Sequence, residues 1–276
     1  MISTLELAAL VDARWISEHL GDAGVRVVEV DVSSATYNQG HIPGAVLWNA
    51  YTDLRDPEYR TVPRGVFEQL LSRSGITPET TVVFYGYGAP LGFWLMTTYG
   101  HQDVRMLNGN RDVWEKNGGT WSEAVPVPTP TFYPLPAEDR KLLATREDVE
   151  AAIDDPKVTI LDVRADVEYL GERFWPSGAT ADTGRAGRIP GALHAPIDGV
   201  RTEAGALKGI DELRAAYAEA GLSSPAQRIV VYCTIGNRAS LAWFALTYLL
   251  GYPNVSVYYG SFVEWGRLVD TVVETG

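Results

Sequence analysis

The amino-acid sequence predicts an α/β protein of two tandem domains, each a parallel sheet flanked by helices on both faces. Three observations lead to this prediction. The chain repeats a set of motifs in the same order, each half alternates short β-branched runs with longer helical stretches, and a proline-rich segment separates the halves. Strands that alternate with helices favour a parallel sheet, because each crossover helix returns the chain to the same end of the sheet.

The internal repeat is carried by ordered pairs of anchor residues. Four of these pairs, first half then second, are Asp31 and Asp162, Pro43 and Pro190, Tyr85 and Cys233, and Trp114 and Trp265. Anchors that recur in the same order across two halves are hard to obtain by chance, so we infer a duplication. In this pairing Tyr85 occupies the place of Cys233, and the first half is three residues shorter just after it.

The proline-rich segment predicts where one domain ends and the next begins. Such a segment is extended and stiff, and it acts as a semi-rigid spacer. We therefore divide the chain into a first domain over residues 1–125, a linker over residues 126–137 and a second domain over residues 138–276. The second half also carries an insertion over residues 171–186.

The elements of the second half follow from hydrophobic pattern and from turn residues. Three β-branched runs read as buried strands, at Thr159–Val163, Ile229–Tyr232 and Val255–Tyr259. Two amphipathic stretches, Asp211–Ala220 and Ala239–Leu250, are typical of helices, and a glycine closes the second one. Ligands of such sheets bind beyond the carboxyl ends of the strands, so we expect the site at that edge.

Composition and charge argue against several classes of function. The 276 residues are 46% apolar and carry a net charge of −12, which disfavours nucleic acid and anionic membrane surfaces as partners. A single cysteine allows no disulfide, and four scattered histidines show no metal-ligand spacing, so we expect no structural metal and no cofactor. The first fifteen residues favour an amphipathic helix over a signal peptide, and together with the free thiol they predict a cytoplasmic protein without a membrane span.

Cys233 ends a predicted strand and opens a tight loop that leads into a helix. Gly236 permits an unusual backbone angle, and Arg238 stands at the start of the helix. Backbone N–H groups and the helix dipole at such a position favour the thiolate form of a cysteine. An isolated cysteine at a strand end is more often a small buried hydrophobe. The glycine, the arginine and the strand-to-helix position together favour a nucleophile here.

The sequence resembles the rhodanese family of sulfurtransferases in its tandem form. The Cys-Thr-Ile-Gly-Asn-Arg loop is similar to the six-residue active-site loop of that family, and the Asp-Val-Arg and His-Ile-Pro-Gly-Ala elements are similar to its other signatures. The resemblance implies that Cys233 takes a sulfur from a small anionic donor, thiosulfate, and releases sulfite. A thiophilic acceptor such as cyanide then removes the sulfur from the persulfide, in two half-reactions. The residues that it implies for donor binding are Thr234, Ile235, Gly236, Asn237, Arg238 and Arg164.

Two positions depart from the tandem enzymes of the family. Glu168 stands where those enzymes have a donor-binding arginine, and Ile235 stands where their loop often carries a lysine. Contacts to the donor therefore need another cation outside the loop, and the candidates are Arg164, Arg185 and Arg188.

The first half is expected to be catalytically inactive, because Tyr85 cannot form a persulfide. The first half nevertheless keeps Asp31, so Asp31 and Asp162 are interpreted as structural residues that hold a neighbouring turn. Trp175 and Arg173 of the insertion are candidates to cover the site.

Three other functions compete with a thiosulfate sulfurtransferase. A cysteine phosphatase of the C-x5-R kind needs five residues between cysteine and arginine, and only four lie between Cys233 and Arg238. A 3-mercaptopyruvate sulfurtransferase tends to have small neutral residues in the loop, so Arg238 favours thiosulfate. A sulfur-carrier or regulatory module without turnover stays open.

Overall fold

The first half is built around a five-stranded parallel sheet. The computed structural model describes residues 9–276 except 182, 204 and 223. The strands are β1 (Leu10–Val11), β2 (Val25–Asp31), β3 (Val46–Asn49), β4 (Thr81–Tyr85) and β5 (Val104–Leu107). The helices are α1 (Ala13–Glu18), α2 (Ala35–Gln39), α3 (Arg64–Arg73), α4 (Ala89–Thr98) and α5 (Arg111–Lys116). The strand order is β1-β5-β4-β2-β3, and the central strands are valine-rich and buried, as in parallel sheets covered on both faces.

The second half repeats this architecture. Its strands are β6 (Leu143–Ala144), β7 (Val158–Asp162), β8 (Leu193–His194), β9 (Arg228–Tyr232) and β10 (Val255–Tyr258). Its helices are α6 (Arg146–Ile153), α7 (Asp166–Tyr169), α8 (Ile210–Glu219), α9 (Asn237–Phe244) and α10 (Ser261–Trp265), with a 3₁₀ turn at Ile197–Val200. The strand order β6-β10-β9-β7-β8 matches that of the first half position by position. The predicted fold class, two tandem parallel α/β units, is confirmed.

The predicted helix after the cysteine loop differs in detail from the observed one. The sequence predicts it over Ala239–Leu250, whereas α9 begins earlier, at Asn237, and is continued by a π-helical segment at Ala245–Leu249. The early start places the end of the cysteine loop inside the first turn of the helix. The three predicted strands of the second half agree with β7, β9 and β10 to within one residue at each end.

The sequence predicts a helix over the first fifteen residues, and within the described part of the chain α1 spans Ala13–Glu18. Residues 1–8 lie outside the described part of the chain. After them, β1 pairs in parallel with β5, and α1 then begins behind Asp12, whose carboxylate accepts a hydrogen bond from the Trp15 N–H at 2.7 Å. The apolar Leu10–Val11 segment therefore completes the edge of the sheet instead of forming a helical turn.

The proposed linker, residues 126–137, contains no helix or strand. It is held against the first half by side chains and by hydrogen bonds. The Thr131 N–H donates to the Ser72 carbonyl at 3.1 Å, and Leu135 is buried. A proline-rich segment that packs along one domain keeps the start of the second half close to the first.

One hydrophobic core extends across both halves. Helix α4 is apolar on all sides and packs against α9. Phe93 meets Phe244 edge to face at 5.0 Å, and Trp94 stacks on Tyr259 at 5.2 Å. The two halves therefore lie against each other through aromatic side chains. Among the described residues, no helix is both long and apolar enough to cross a membrane.

Candidate active site

Cys233 lies directly after β9, at the carboxyl end of a central strand. Its side chain is fully buried. Its backbone is held from both sides, because the Phe262 N–H donates to its carbonyl at 2.9 Å and its own N–H donates to the Ser261 hydroxyl at 3.3 Å. The sulfur is thereby presented at the edge of the sheet where parallel α/β folds bind their ligands.

Gly236 brings a backbone donor to the cysteine sulfur. It caps α9 with a left-handed φ of 87°, and its N–H lies 3.1 Å from Cys233 Sγ. A Cβ at this position would lie 3.1 Å from the Tyr259 carbonyl, so both conformation and space favour glycine. A donor at the amino end of a helix stabilises negative charge on sulfur. This geometry is suited to a thiolate or a persulfide.

Arg238 is held in a buried ion pair with Glu168. Its two terminal nitrogens donate to the two carboxylate oxygens at 2.8 and 2.9 Å, and the Thr234 hydroxyl bonds to both side chains. Burial raises the pKa of Glu168, but the hydrogen bonds and charge of Arg238 outweigh it and hold that pKa below its ordinary value. Burial likewise lowers the pKa of Arg238, and Glu168 raises it above its ordinary value. The pair is therefore charged at neutral pH.

A cavity of about 320 Å³ lies beside Cys233. The second half supplies its loop and part of its insertion, and the first half supplies two tyrosines from the opposite side. The lining residues are Tyr51, Tyr87, Trp175, Pro176, Ser177, Cys233, Thr234, Ile235, Asn237 and Arg238. Among the described residues that line it, Arg238 is the one cation. The cavity is therefore aromatic on its walls and has the cysteine loop as its polar side.

Two repeats of one domain type account for most of the chain. The family model of the rhodanese-like domain matches residues 12–117 and 145–268. The chain belongs to the rhodanese-like family. Each matched segment contains four of the five strands of one parallel sheet, and the second contains Cys233 and its loop. The sulfurtransferase character predicted from the sequence is therefore supported at the level of the family.

Rhodanese-like relatives of similar length extend along nearly the whole chain. The "Sulfur carrier protein TtuD" of Thermus thermophilus is 40% identical over 97% of this chain and 96% of its own. A protein of Haloferax volcanii named "Putative thiosulfate sulfurtransferase" is 38% identical over the same shares. The names of these two relatives differ in function, one a carrier and one an enzyme, so membership of the family does not decide between turnover and carriage.

Solved structures with this rhodanese-like fold include an enzyme of a different sulfur-transfer reaction. The anaerobic ergothioneine biosynthesis enzyme of Chlorobium limicola, in complex with trimethyl histidine, superposes with a TM-score of 0.87 at 26% identity. The match covers 98% of this chain and 71% of that enzyme. A variant of EanB in complex with ergothioneine gives a TM-score of 0.88 at 27% identity, over 100% of this chain and 72% of that one.

The structure does not place Arg164 at the cavity, contrary to the expectation from the sequence. Its side chain is fully buried, donates to Asp162 at 2.7 Å and to the Gly187 carbonyl at 2.6 Å, and lies 4.0 Å from the Phe262 ring centroid. These contacts belong to the interior of the rhodanese-like domain, where a donor molecule has no access.

The other two arginines considered as donor ligands also point elsewhere. Arg185 donates to the Thr271 carbonyl at 2.7 Å, and Arg188 donates to the Gly276 carbonyl at 2.8 Å. Of the insertion residues, Trp175 lines the cavity as expected, whereas Arg173 is not among the lining residues. Among the described residues of the insertion, those that line the cavity include an aromatic ring and no charged side chain.

The pairing of Tyr85 with Cys233 is wrong by one residue. Strand β2 pairs with β4 in the register that puts Glu29 opposite Tyr85, and β7 pairs with β9 in the register that puts Asp162 opposite Tyr232. In each half the tyrosine hydroxyl also accepts from the isoleucine N–H of the repeated Ile-Pro-Gly-Ala element, which is Ile42 for Tyr85 and Ile189 for Tyr232. Tyr85 therefore corresponds to Tyr232, and the residue that follows it, Gly86, takes the place of the cysteine. By the same register Asp162 corresponds to Glu29, not to Asp31.

The structural interpretation of Asp162 agrees with its contacts. Its carboxylate accepts hydrogen bonds from Tyr232 and Arg164, and it is fully buried. Asp31 instead accepts a hydrogen bond from the neighbouring Val32 N–H at 2.6 Å. The first half has a buried carboxylate in the same role, Glu29, at a position that the sequence motifs did not identify.

Three residues of the first half reach the site without any signal in the sequence. Tyr51 and Tyr87 line the cavity, and the Tyr87 carbonyl accepts a hydrogen bond from Asn237 at 3.1 Å. Arg55 is buried and donates to the Ile235 carbonyl of the cysteine loop. These residues lie in irregular segments far from the loop in sequence, so no local pattern links them to it.

Proposed function

We propose that the protein transfers sulfane sulfur through a persulfide on Cys233, with thiosulfate as donor and a thiophile such as cyanide as acceptor. The observation that carries the proposal is the sulfur of Cys233 itself. It faces the Gly236 N–H at the start of α9, beside Arg238, and it borders a cavity large enough for a small molecule. It is also the only thiol in the chain, so a single sulfur atom is carried at a time.

The reaction balances without a cofactor. The Cys233 thiolate attacks the outer sulfur of thiosulfate, a bond forms between the two sulfurs, and the S–S bond of thiosulfate breaks. The electron pair of that bond leaves with sulfite. In the second half-reaction cyanide attacks the outer sulfur of the persulfide, thiocyanate departs, and the thiolate is restored. The Gly236 N–H lies where it stabilises the charge on sulfur in each step.

No general base among the loop residues is required by this scheme. A thiolate that accepts a hydrogen bond at the amino end of a helix is already a nucleophile. The positive charge of Arg238 also lies close enough to Cys233 for the two to attract each other. The buried Arg238–Glu168 pair holds that charge in place.

A second candidate, sulfur carriage from a persulfide donor without thiosulfate turnover, is favoured by one observation. Glu168 engages both terminal nitrogens of Arg238, so the charge that would attract thiosulfate is largely balanced. An anionic donor gains less from a balanced pair than from a free guanidinium. The carrier name of the Thermus thermophilus relative agrees with this alternative.

The deciding experiment compares sulfur loading with turnover. The intact mass is measured after incubation with thiosulfate, and again after cyanide, in wild type and in Cys233→Ser. We expect one sulfur atom on the wild type, removed by cyanide, and none on the variant. Parallel steady-state assays with thiosulfate and with 3-mercaptopyruvate, each with cyanide, identify the donor. Loading from an alkyl persulfide without turnover of either donor would favour the carrier, and equal loading of Cys233→Ser would contradict both.

A further inference from the structure

A buried guanidinium of the first half lies against the cysteine loop of the second. Arg55 is 3% exposed. It donates to the Ala50 carbonyl at 2.6 Å and to the Ile235 carbonyl across the boundary between the halves. The rings of Tyr51 and Tyr259 lie 5.9 and 5.4 Å from its central carbon. Hydrogen bonds and aromatic rings therefore fix the Arg55 guanidinium, and one of its N–H groups donates to the cysteine loop.

The carbonyl that Arg55 binds belongs to the same peptide unit as the donor to the cysteine sulfur. The Ile235 carbonyl and the Gly236 N–H are the two polar ends of one amide. No described peptide bond is cis, so these ends point in opposite directions. Arg55 therefore binds one end, while Cys233 Sγ accepts from the other at 3.1 Å.

The Ile235–Gly236 peptide has a glycine on one side, so the backbone itself offers little resistance to its rotation. Gly236 has a left-handed φ of 87°, and glycine visits both signs of φ with little difference in energy. Rotation of the Ile235–Gly236 peptide would turn the N–H away from the sulfur and the carbonyl toward it. A guanidinium on the carbonyl opposes that rotation, and it also polarises the amide so that its N–H becomes a stronger donor.

We propose that Arg55 is a positioning residue for the sulfur chemistry at Cys233, acting through the Ile235–Gly236 peptide. The inference rests on the proposed function of Cys233 and adds a residue of the inactive half to its machinery. Among the described residues, the other charged and titratable groups around the loop are the Arg238–Glu168 pair, Tyr51 and Tyr87 on the cavity wall, and Tyr259 against Arg55. Arg55 binds the loop at the Ile235 carbonyl and is not among the residues that line the cavity.

The test uses the pH dependence of thiol alkylation. Cys233 is the only cysteine, so the iodoacetamide rate reports its thiolate alone. In Arg55→Gln the midpoint of the rate profile should rise by about one pH unit, which is about a tenfold slower reaction below the midpoint. Arg55→Lys keeps a cationic donor, so its effect should be smaller. The midpoint should rise by about half a pH unit, which is about a threefold slower reaction below the midpoint.

Arg111→Gln is the matched control, because Arg111 is also a largely buried arginine of the first half and donates to the Gly40 carbonyl. It should lose stability and leave the alkylation midpoint unchanged. Folding is checked by circular dichroism in every variant.

Two results would overturn the inference. One is a folded Arg55→Gln with the wild-type midpoint and only a lower Tm, since that describes a purely structural arginine. The second result is an alkylation midpoint in Arg55→Lys equal to that of the wild type. This result decides the question if Arg55→Gln does not fold. Sulfur loading of the wild type by intact mass is measured separately, so a failure of the proposed function is distinguishable from a failure of this one.

Discussion

The two halves build the same buried network from different residues, and only the second half contains a cysteine. In the second half Asp162 accepts hydrogen bonds from the Tyr232 hydroxyl at 2.6 Å and from Arg164 at 2.7 Å. Arg164 also donates to the Gly187 carbonyl, and the Tyr232 hydroxyl accepts from the Ile189 N–H. The network ties the end of β7 to the turn that precedes β8.

The first half makes the equivalent hydrogen bonds, but its arginine comes from a different position in the repeat. Glu29 accepts from the Tyr85 hydroxyl and from Arg111, and Arg111 donates to the Gly40 carbonyl. The Tyr85 hydroxyl accepts from the Ile42 N–H at 3.0 Å. Burial raises the pKa of Glu29 and of Tyr85, so this network shares the low-polarity environment of its counterpart.

Arg111 and Phe262 occupy equivalent positions, each three residues before the tryptophan that ends its repeat. In the second half the arginine comes instead from the end of β7, as Arg164, and lies over the Phe262 ring. The hydrogen-bond network therefore stabilises the fold itself. It persists where the cysteine loop is replaced by a shorter segment, so its residues are needed whether or not sulfur is transferred.

The largest expected effect concerns the nucleophile itself. Cys233→Ser should abolish sulfur loading, and Gly86→Cys, made on the Cys233→Ser background, should not restore it. A Cβ at Gly86 would lie 2.9 Å from the Val30 carbonyl, and the residue has a φ of 91°. The first half also lacks four residues here, because fifteen positions separate Tyr85 from Gly100 and nineteen separate Tyr232 from Gly251. Intact-mass measurement after thiosulfate treatment checks both variants, and sulfur loading of the double variant would show that the two loops are interchangeable.

Removal of the first half should be the next most damaging change. Residues 138–276 expressed alone would expose the aromatic surface that Phe93 and Trp94 cover, and would lose Tyr51 and Tyr87 from the cavity wall. We expect loss of solubility or of donor affinity. Solubility, Tm and thiosulfate turnover are compared with those of the full chain. Equal values would mean that the first half contributes nothing to the site.

Loss of the buried ion pair should lower the free energy of unfolding by a similar amount in either half. Arg164→Met leaves Asp162 buried without its cation, and Arg111→Met does the same to Glu29, so each should lower the free energy of unfolding by about 3–5 kcal/mol. Urea unfolding measures both. Arg14→Met, which removes an exposed pair with Glu18, is the control and should leave the stability nearly unchanged. If Arg164→Met had wild-type stability but no longer loaded sulfur, Arg164 would have to be a donor-binding residue and not a structural one.

The smallest expected effect concerns the charge of Glu168. Glu168→Gln frees Arg238 for an anion and should lower the KM for thiosulfate about tenfold, equivalent to about 1.4 kcal/mol. Glu168→Asp keeps the negative charge and serves as the control. Steady-state kinetics over a range of thiosulfate concentrations separate KM from kcat. A KM that is unchanged or higher in Glu168→Gln would mean that Arg238 does not contact the donor.

The same variant has a predicted pH signature. Because the pKa of Glu168 in the folded protein lies below its ordinary value of 4.5, its ionised form stabilises the fold fully above that value. The contribution is lost as the pH falls through the lowered pKa. Wild type should therefore lose more stability than Glu168→Gln between about pH 5 and pH 3. Unfolding curves at several pH values check this, and parallel losses in the two proteins would contradict it.

Several features of this protein were determined by the sequence alone. The duplication, the alternation of strands with helices and the position of Cys233 between a strand and a helix are local patterns, and the structure agrees with each of them. Hydrophobic period and turn residues act over a few positions, so they are visible without a partner segment.

Only the tertiary structure decided which residues meet. The pairing of Glu168 with Arg238 joins residues on different elements, and the contact of Arg55 with the Ile235 carbonyl joins residues 180 positions apart. Strand register, not motif similarity, showed that Gly86 stands in the place of Cys233. Such contacts depend on how two sheets and their crossing segments pack, and a one-dimensional pattern contains no distance between segments that meet only after folding.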